Sequence, residues 1–165
     1  MLYSFPAFSQ KKLCEMKIDE FTKVKIVESK IKEIGFYRPF SLSQKYKIAA
    51  SVSKRDSLYF LDLFPEFLSV QKIDNSSNIM LLFEDGSTLK LVYDGESISD
   101  YRRGRGFEKM TNNVISHNVL VFTLSLNQRQ LLIANKIRKI RCNAYDYEIK
   151  QGEYIQEALN CVSSK

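Results

Sequence analysis

The chain has 165 residues, 44% of them hydrophobic and 27% charged, with only three prolines; that is the length of one ordinary domain, and the composition excludes a disordered or fibrous chain. The longest apolar runs, such as Ile79 to Phe83, fall far short of the ~20 residues that a membrane-crossing helix needs, so no transmembrane segment is expected. The formal net charge of +6 favours anions near the surface, yet the lysines and arginines are spread along the polar phase of most segments, as on a solvated surface.

In chain order, Met1 to Ser9 reads as the remnant of a secretory signal. Apolar residues lead to Pro6, and the small Ala7 and Ser9 stand at the spacing of a cleavage site before Gln10. The expected division is therefore residues 1–9 as signal remnant and 10–165 as a single β-rich domain. Retention of Met1 would instead place the protein in the cytoplasm.

Cys14, Met16 and Ile18 alternate with charged residues, as do Val24 and Ile26 with Lys23 and Lys25, the period of half-buried strands. Tyr46, Ile48, Ala50 and Val52 repeat the pattern. A polar turn over residues 54–57 follows, then an apolar run from Leu58 to Phe64 that Pro65 is expected to stop. A short piece from Val70 to Ile73 precedes Asp85-Gly86, which lies between the β-prone runs 79–84 and 87–93 and predicts a type I′ hairpin turn. The hydrophobic pattern then stops from Asp94 to Asn113, where three of the six glycines fall between Gly95 and Gly106, predicting a long loop with His117 just beyond it, ahead of the next strand.

Strand signal resumes over Val119 to Leu124. Ser125 and Gln128 have capping-box spacing for a short helix near 126–134, with Asn135 as its left-handed stop. Lys136 to Asn143 and Tyr145 to Ile149 read as strands. Ile155, Ala158, Leu159 and Val162 fall at i, i+3, i+4 and i+7, predicting an amphipathic helix near 152–162. The expected fold is α+β and predominantly antiparallel, a sandwich or open barrel of about eight strands with two short helices.

Asp19-Glu20-Phe21-Thr22, the Leu58 to Leu61 run, Phe83-Glu84-Asp85-Gly86, and Leu124-Ser125-Leu126 leading to Lys136 through Arg141 together resemble a loose group of small, exported, uncharacterised bacterial proteins. The resemblance implies export and a β-rich fold, and brings no activity or catalytic residue with it.

Little in the sequence points to catalysis. His117 is the only histidine, the three cysteines Cys14, Cys142 and Cys161 are widely spaced, and neither a metal-ligand cluster nor a nucleophile elbow is present. No catalytic residue, metal ligand or cofactor is assigned. The cysteines read either as small buried hydrophobes or, in an oxidising compartment, as one bridge, with Cys142 and Cys161 the expected pair. The one concentration of binding groups is Tyr101, Arg102, Arg103, Arg105 and Phe107, where three of the eight arginines lie within four residues between two aromatics. Arginine forks grip phosphate or carboxylate, and the rings offer a stacking surface.

These observations favour a non-enzymatic binding or interaction domain, periplasmic or secreted, whose partner is an anionic ligand or an envelope protein. The alternatives are a cytoplasmic nucleic-acid or polyanion binder working through residues 101–107, and an enzyme acting on glycans or peptides, which would need convergent carboxylates in a pocket.

Overall fold

The computed structural model describes residues 13–39, 44–98, 100–103 and 114–165. The signal-like segment 1–9 lies outside them, as do Arg105 and Phe107 of the arginine-rich stretch. The fold is predominantly antiparallel β with two short helices, as the sequence predicts, and the sheet does not close into a barrel.

Two ten-residue strands organise it, β4 (Tyr46–Arg55) and β5 (Leu58–Phe67), paired along their length from Ile48 with Pro65 to Arg55 with Leu58. Their turn is tight, with Asp56 at a positive φ of 52°, a conformation that aspartate tolerates better than most residues. Each long strand changes partner halfway along its outer edge. On the β4 edge, β3 (Lys32–Tyr37) pairs with Tyr46 to Ala50 and β2 (Lys25–Ser29) with Ser53 to Arg55. On the β5 edge, β11 (Val114–His117) pairs with Glu66 and Phe67, and β12 (Leu120–Leu124) with Tyr59 to Leu63.

Pro65 therefore does not stop β5. Its carbonyl accepts the Asn118 N–H at 3.3 Å, in the gap between β11 and β12, and in an antiparallel strand a residue's N–H and C=O address the same edge. The missing N–H faces that same residue, so β5 gives up one ladder bond at the break between β11 and β12 and continues to Phe67.

The sheet extends from β3 through β14 (Tyr145–Ile149), β13 (Ile137–Cys142) and β7 (Ile79–Phe83) to β8 (Thr88–Leu91). The β3–β14 seam depends on Gly35, where a Cβ would stand 2.3 Å from the Glu148 carbonyl oxygen. The β7–β8 turn is not type I′. Only Gly86 has a positive φ, and Gly86 N–H donates to the Phe83 carbonyl while Phe83 N–H donates to that of Ser87, the three-residue loop with a glycine bulge. At the outer edge of β4, β2 pairs with β1 (Cys14–Ile18). Met16 and Ile18 are 56% and 63% exposed, so the alternation read there as half-buried leaves most of its apolar phase in water.

Residues 94–113 are not one loop. β9 (Ser97–Ile98) pairs with β6 (Lys72–Ile73), and β10 (Asp100–Arg103) pairs with β11 as the outermost strand at that end. His117 accordingly ends a strand, opposite Glu66, instead of lying in a loop.

Helix α1 (Leu126–Ala134) carries the capping box expected of Ser125 and Gln128. Asn135 is extended, at φ −126° and ψ 138°, not left-handed; its backbone N–H and its side-chain amide both donate to the Leu131 carbonyl. Helix α2 (Tyr154–Ser163) buries Ile155, Ala158, Leu159 and Val162 as its periodicity requires, together with Tyr154, and packs on β4, β2 and α1. The core includes this helix's buried face, the even-numbered residues of β4 and the odd-numbered residues of β5, and continues through Leu81 and Phe83 of β7 and Ile137 and Ile140 of β13.

The cysteine pairing differs from the expected one. Cys14 of β1 is bonded to Cys161 of α2, and Cys142 is a free, fully buried thiol. Cys142 points into the core from β13, whereas α2 turns Cys161 toward the β1 edge that it packs against.

Candidate functional site

Directly paired residues of neighbouring strands share a face of the sheet. On the face of β4 and β5 that points away from the core, the register lines up Glu15, Glu28, Ser53, Phe60 and Thr123 in one row across β1, β2, β4, β5 and β12. Ser51, Asp62 and Val121 form the next row. Such a face should be open to water, yet Ser51 and Ser53 are only 6% and 4% exposed.

The cause is the partner change on β4. Between Ser53, the last residue paired with β2, and Ala50, the first paired with β3, the chain crosses from one ladder to the other through Lys30 and Ile31. Val52 N–H, left without a ladder acceptor there, donates to Ser29 Oγ at 2.8 Å, and the Tyr154 hydroxyl donates to the Lys30 carbonyl, fixing the crossing. A cleft of about 450 Å3 results, lined on one side by Glu15, Glu28 and the crossing and on the other by Ser51, Ser53, Arg55, Asp62 and Phe64. That size is within the usual range of small-molecule sites.

Ser51 Oγ donates to Asp62 Oδ2 at 3.1 Å. Asp62 Oδ1 and Ser53 Oγ are closed to bulk water and have no hydrogen-bond partner among the described residues. A buried acceptor left unmet costs about 1–3 kcal/mol, and this cleft holds two such oxygens on neighbouring side chains. Burial pushes the Asp62 carboxyl above its ordinary value; the Ser51 hydrogen bond and the charge of Arg55 oppose that shift, and Glu28 adds to it. The remaining charges at the mouth are largely matched. Lys17 Nζ lies 2.6 Å from Glu28 Oε1 and Lys30 Nζ 3.9 Å from Glu15 Oε1, while the Arg55 guanidinium stands 5.1 Å from the centre of the Phe60 ring.

None of the residues singled out in the sequence lines this cleft. Tyr101, Arg102 and Arg103 occupy β10 on the outermost strand at the far end of β5, Arg105 and Phe107 lie outside the described residues, and His117 stands 3.9 Å from Glu66 across the strand pair. Cys142 is in the core, where burial pushes its thiol pKa up to about 12, so it is no nucleophile at neutral pH. Asp62 was legible only as one polar residue on the outward phase of β5. Lys30 and Ile31, which line the same cleft, lie some thirty residues away in sequence.

A tyrosine cluster forms the other concentration of polar groups within apolar surroundings. The rings of Tyr37, Tyr145, Tyr147 and Phe67 meet edge to face, with Phe67 and Tyr145 centred 5.0 Å apart, and Tyr147 donates to the Glu66 carbonyl. The Tyr46 hydroxyl is buried there without a partner among the described residues. The cluster belongs to the core, with Tyr37 and Tyr145 packed against the buried Phe67 and Tyr147.

No family model, curated protein or solved structure matches the chain.

Proposed function

We propose that the protein is an exported, non-enzymatic binding domain whose ligand sits in the cleft between the β2–β3 crossing and the outer face of β4 and β5. The observation that carries this reading is the pair of unmet oxygens, Asp62 Oδ1 and Ser53 Oγ, on residues lining a cleft of ligand size. Ser53 and Asp62 lie on one face of the sheet at diagonal positions of the β4–β5 pair, and unmet buried oxygens there are the groups that a ligand bearing hydrogen-bond donors would complete. The disulfide between Cys14 and Cys161 supports export, because such bonds persist in oxidising compartments.

The test is to purify the protein from its native source under mild conditions, denature it, and identify released small molecules by mass spectrometry, with an Asp62→Asn, Ser53→Ala variant in parallel. A compound released by the parent and absent from the variant supports the reading. Equal release from both removes the cleft from it. Fractionation with sequencing of the mature N-terminus tests export, and a cytoplasmic protein with Met1 retained overturns that part.

A second reading, polyanion binding, rests on the position of Arg102 and Arg103 on an outermost strand, β10. It requires affinity for a nucleic acid that falls steeply with salt and is lost when Arg102, Arg103 and Arg105 are replaced together by alanine.

A further inference from the structure

We infer that the ligand of this cleft is a neutral saccharide, an inference that rests on the cleft being a binding site as proposed above. The argument starts from charge. Of the five ionised side chains lining the cleft, Glu15 and Glu28 have lysine partners, Lys30 within the lining and Lys17 just outside it. Asp62 and Arg55 are left, one of each sign, and each lowers the cost of the other's charge. An anionic ligand would meet Asp62 in its half-buried form, and a cationic one would meet Arg55, so either brings a like charge into a poorly solvated space. A neutral ligand meets no such opposition.

The hydrogen-bonding inventory narrows the class further. Asp62 Oδ1 needs a donor, and Ser53 Oγ can take a donor or give a proton to an acceptor. Arg55 offers only donors. A ligand that suits all three alternates donors and acceptors at short spacing, which is what vicinal hydroxyl groups do, each being both. The wall completes the match: Phe64, half-buried, and Ile31, 64% exposed, offer apolar surface to the cleft. A pyranose ring is amphipathic in the corresponding way, with a C–H face to lay against an aromatic ring and a hydroxyl rim to bond. The cleft is lined mainly by polar side chains, which fix a ligand's orientation, while Phe64 and Ile31 supply the surface against which its ring lies.

The experiment is a two-dimensional amide NMR titration of the full chain. One arm uses glucose, galactose, mannose, N-acetylglucosamine and the β1,4-linked disaccharides of glucose and N-acetylglucosamine. Two comparison arms use spermidine and inorganic phosphate. The expected result is saturable shifts at Ser51, Ser53 and Asp62 with at least one saccharide, weakened tenfold or more in Asp62→Ala and about fivefold in Phe64→Ala, and unchanged in the Arg102→Ala, Arg103→Ala variant. Asp62→Asn, which keeps the side-chain shape, serves if Asp62→Ala fails to fold. Shifts at the cleft with spermidine or phosphate but with no saccharide overturn the ligand class and leave the cleft standing. No shift at the cleft with any probe overturns the saccharide and counts against the cleft itself.

Discussion

Replacing Asp62 with asparagine should make the ligand-free protein more stable at neutral pH. In the folded chain the carboxyl is held above its ordinary value of 3.8, chiefly by burial, so the native state binds its proton more tightly than the unfolded state does. Stability then falls as pH rises from the ordinary carboxylate range through the raised native value, because ionisation is easier in the unfolded chain. Asparagine keeps the oxygen that accepts from Ser51 Oγ and cannot ionise. The cost it relieves is that of a partly water-exposed, half-satisfied carboxylate, so the low end of the range for an unmet buried acceptor applies, about 1 kcal/mol. For a chain of this size that is a rise in Tm of roughly 2–4 °C. Thermal unfolding followed by circular dichroism between pH 3 and pH 8 measures it. The advantage of Asp62→Asn should be near zero at pH 3, grow as the parent's carboxyl ionises, and level off at neutral pH. A variant less stable than the parent at pH 7, or a difference independent of pH, would refute the reasoning.

The disulfide spans a sequence separation of 147 residues, for which loop-closure entropy gives about 5 kcal/mol; urea unfolding of Cys14→Ser, Cys161→Ser should show a loss of that order, with peptide mapping confirming the pairing. Mass spectrometry after iodoacetamide at pH 8 should find no label on the native protein, one on the unfolded unreduced chain at Cys142, and three after reduction. Tyr46→Phe removes a buried hydroxyl that lacks a partner and should leave stability unchanged or raise it by up to about 1 kcal/mol in urea unfolding, while a loss above 1 kcal/mol would mean that the hydroxyl is satisfied. Gly35→Ala should lower the urea midpoint markedly, since its Cβ would overlap the Glu148 carbonyl, with amide exchange speeding up first in β3 and β14.

What the sequence made legible is whatever a few neighbouring residues decide. Ser125 with Gln128 marks the start of α1 because a capping box is closed within one turn, and the spacing of Ile155 to Val162 marks the buried face of α2. The hidden parts depend on residues far apart. β3 escaped notice because Glu33, Ile34 and Gly35 break the alternation at a bulge. Pro65 was read as a stop because the strand across from it, where β11 gives way to β12 at Asn118, is some fifty residues away in sequence. Cys142 was expected to bridge to Cys161 from a strand to the terminal helix, whereas the bond goes to Cys14 at the opposite end of the described chain. Asp62 has the same origin: only the crossing between β2 and β3 turns an outward strand position into a cleft.

The bond between Cys14 and Cys161 also decides how the domain carries a load. Tension entering through the segment before residue 14 and leaving through the segment after residue 161 passes straight across the two sulfurs, whose Cα atoms are 6.2 Å apart. The intervening sheet, including the cleft, hangs from that link as an unstretched loop. For a protein tethered on one side and tugged on the other, this arrangement would keep the shape of the cleft independent of the pull.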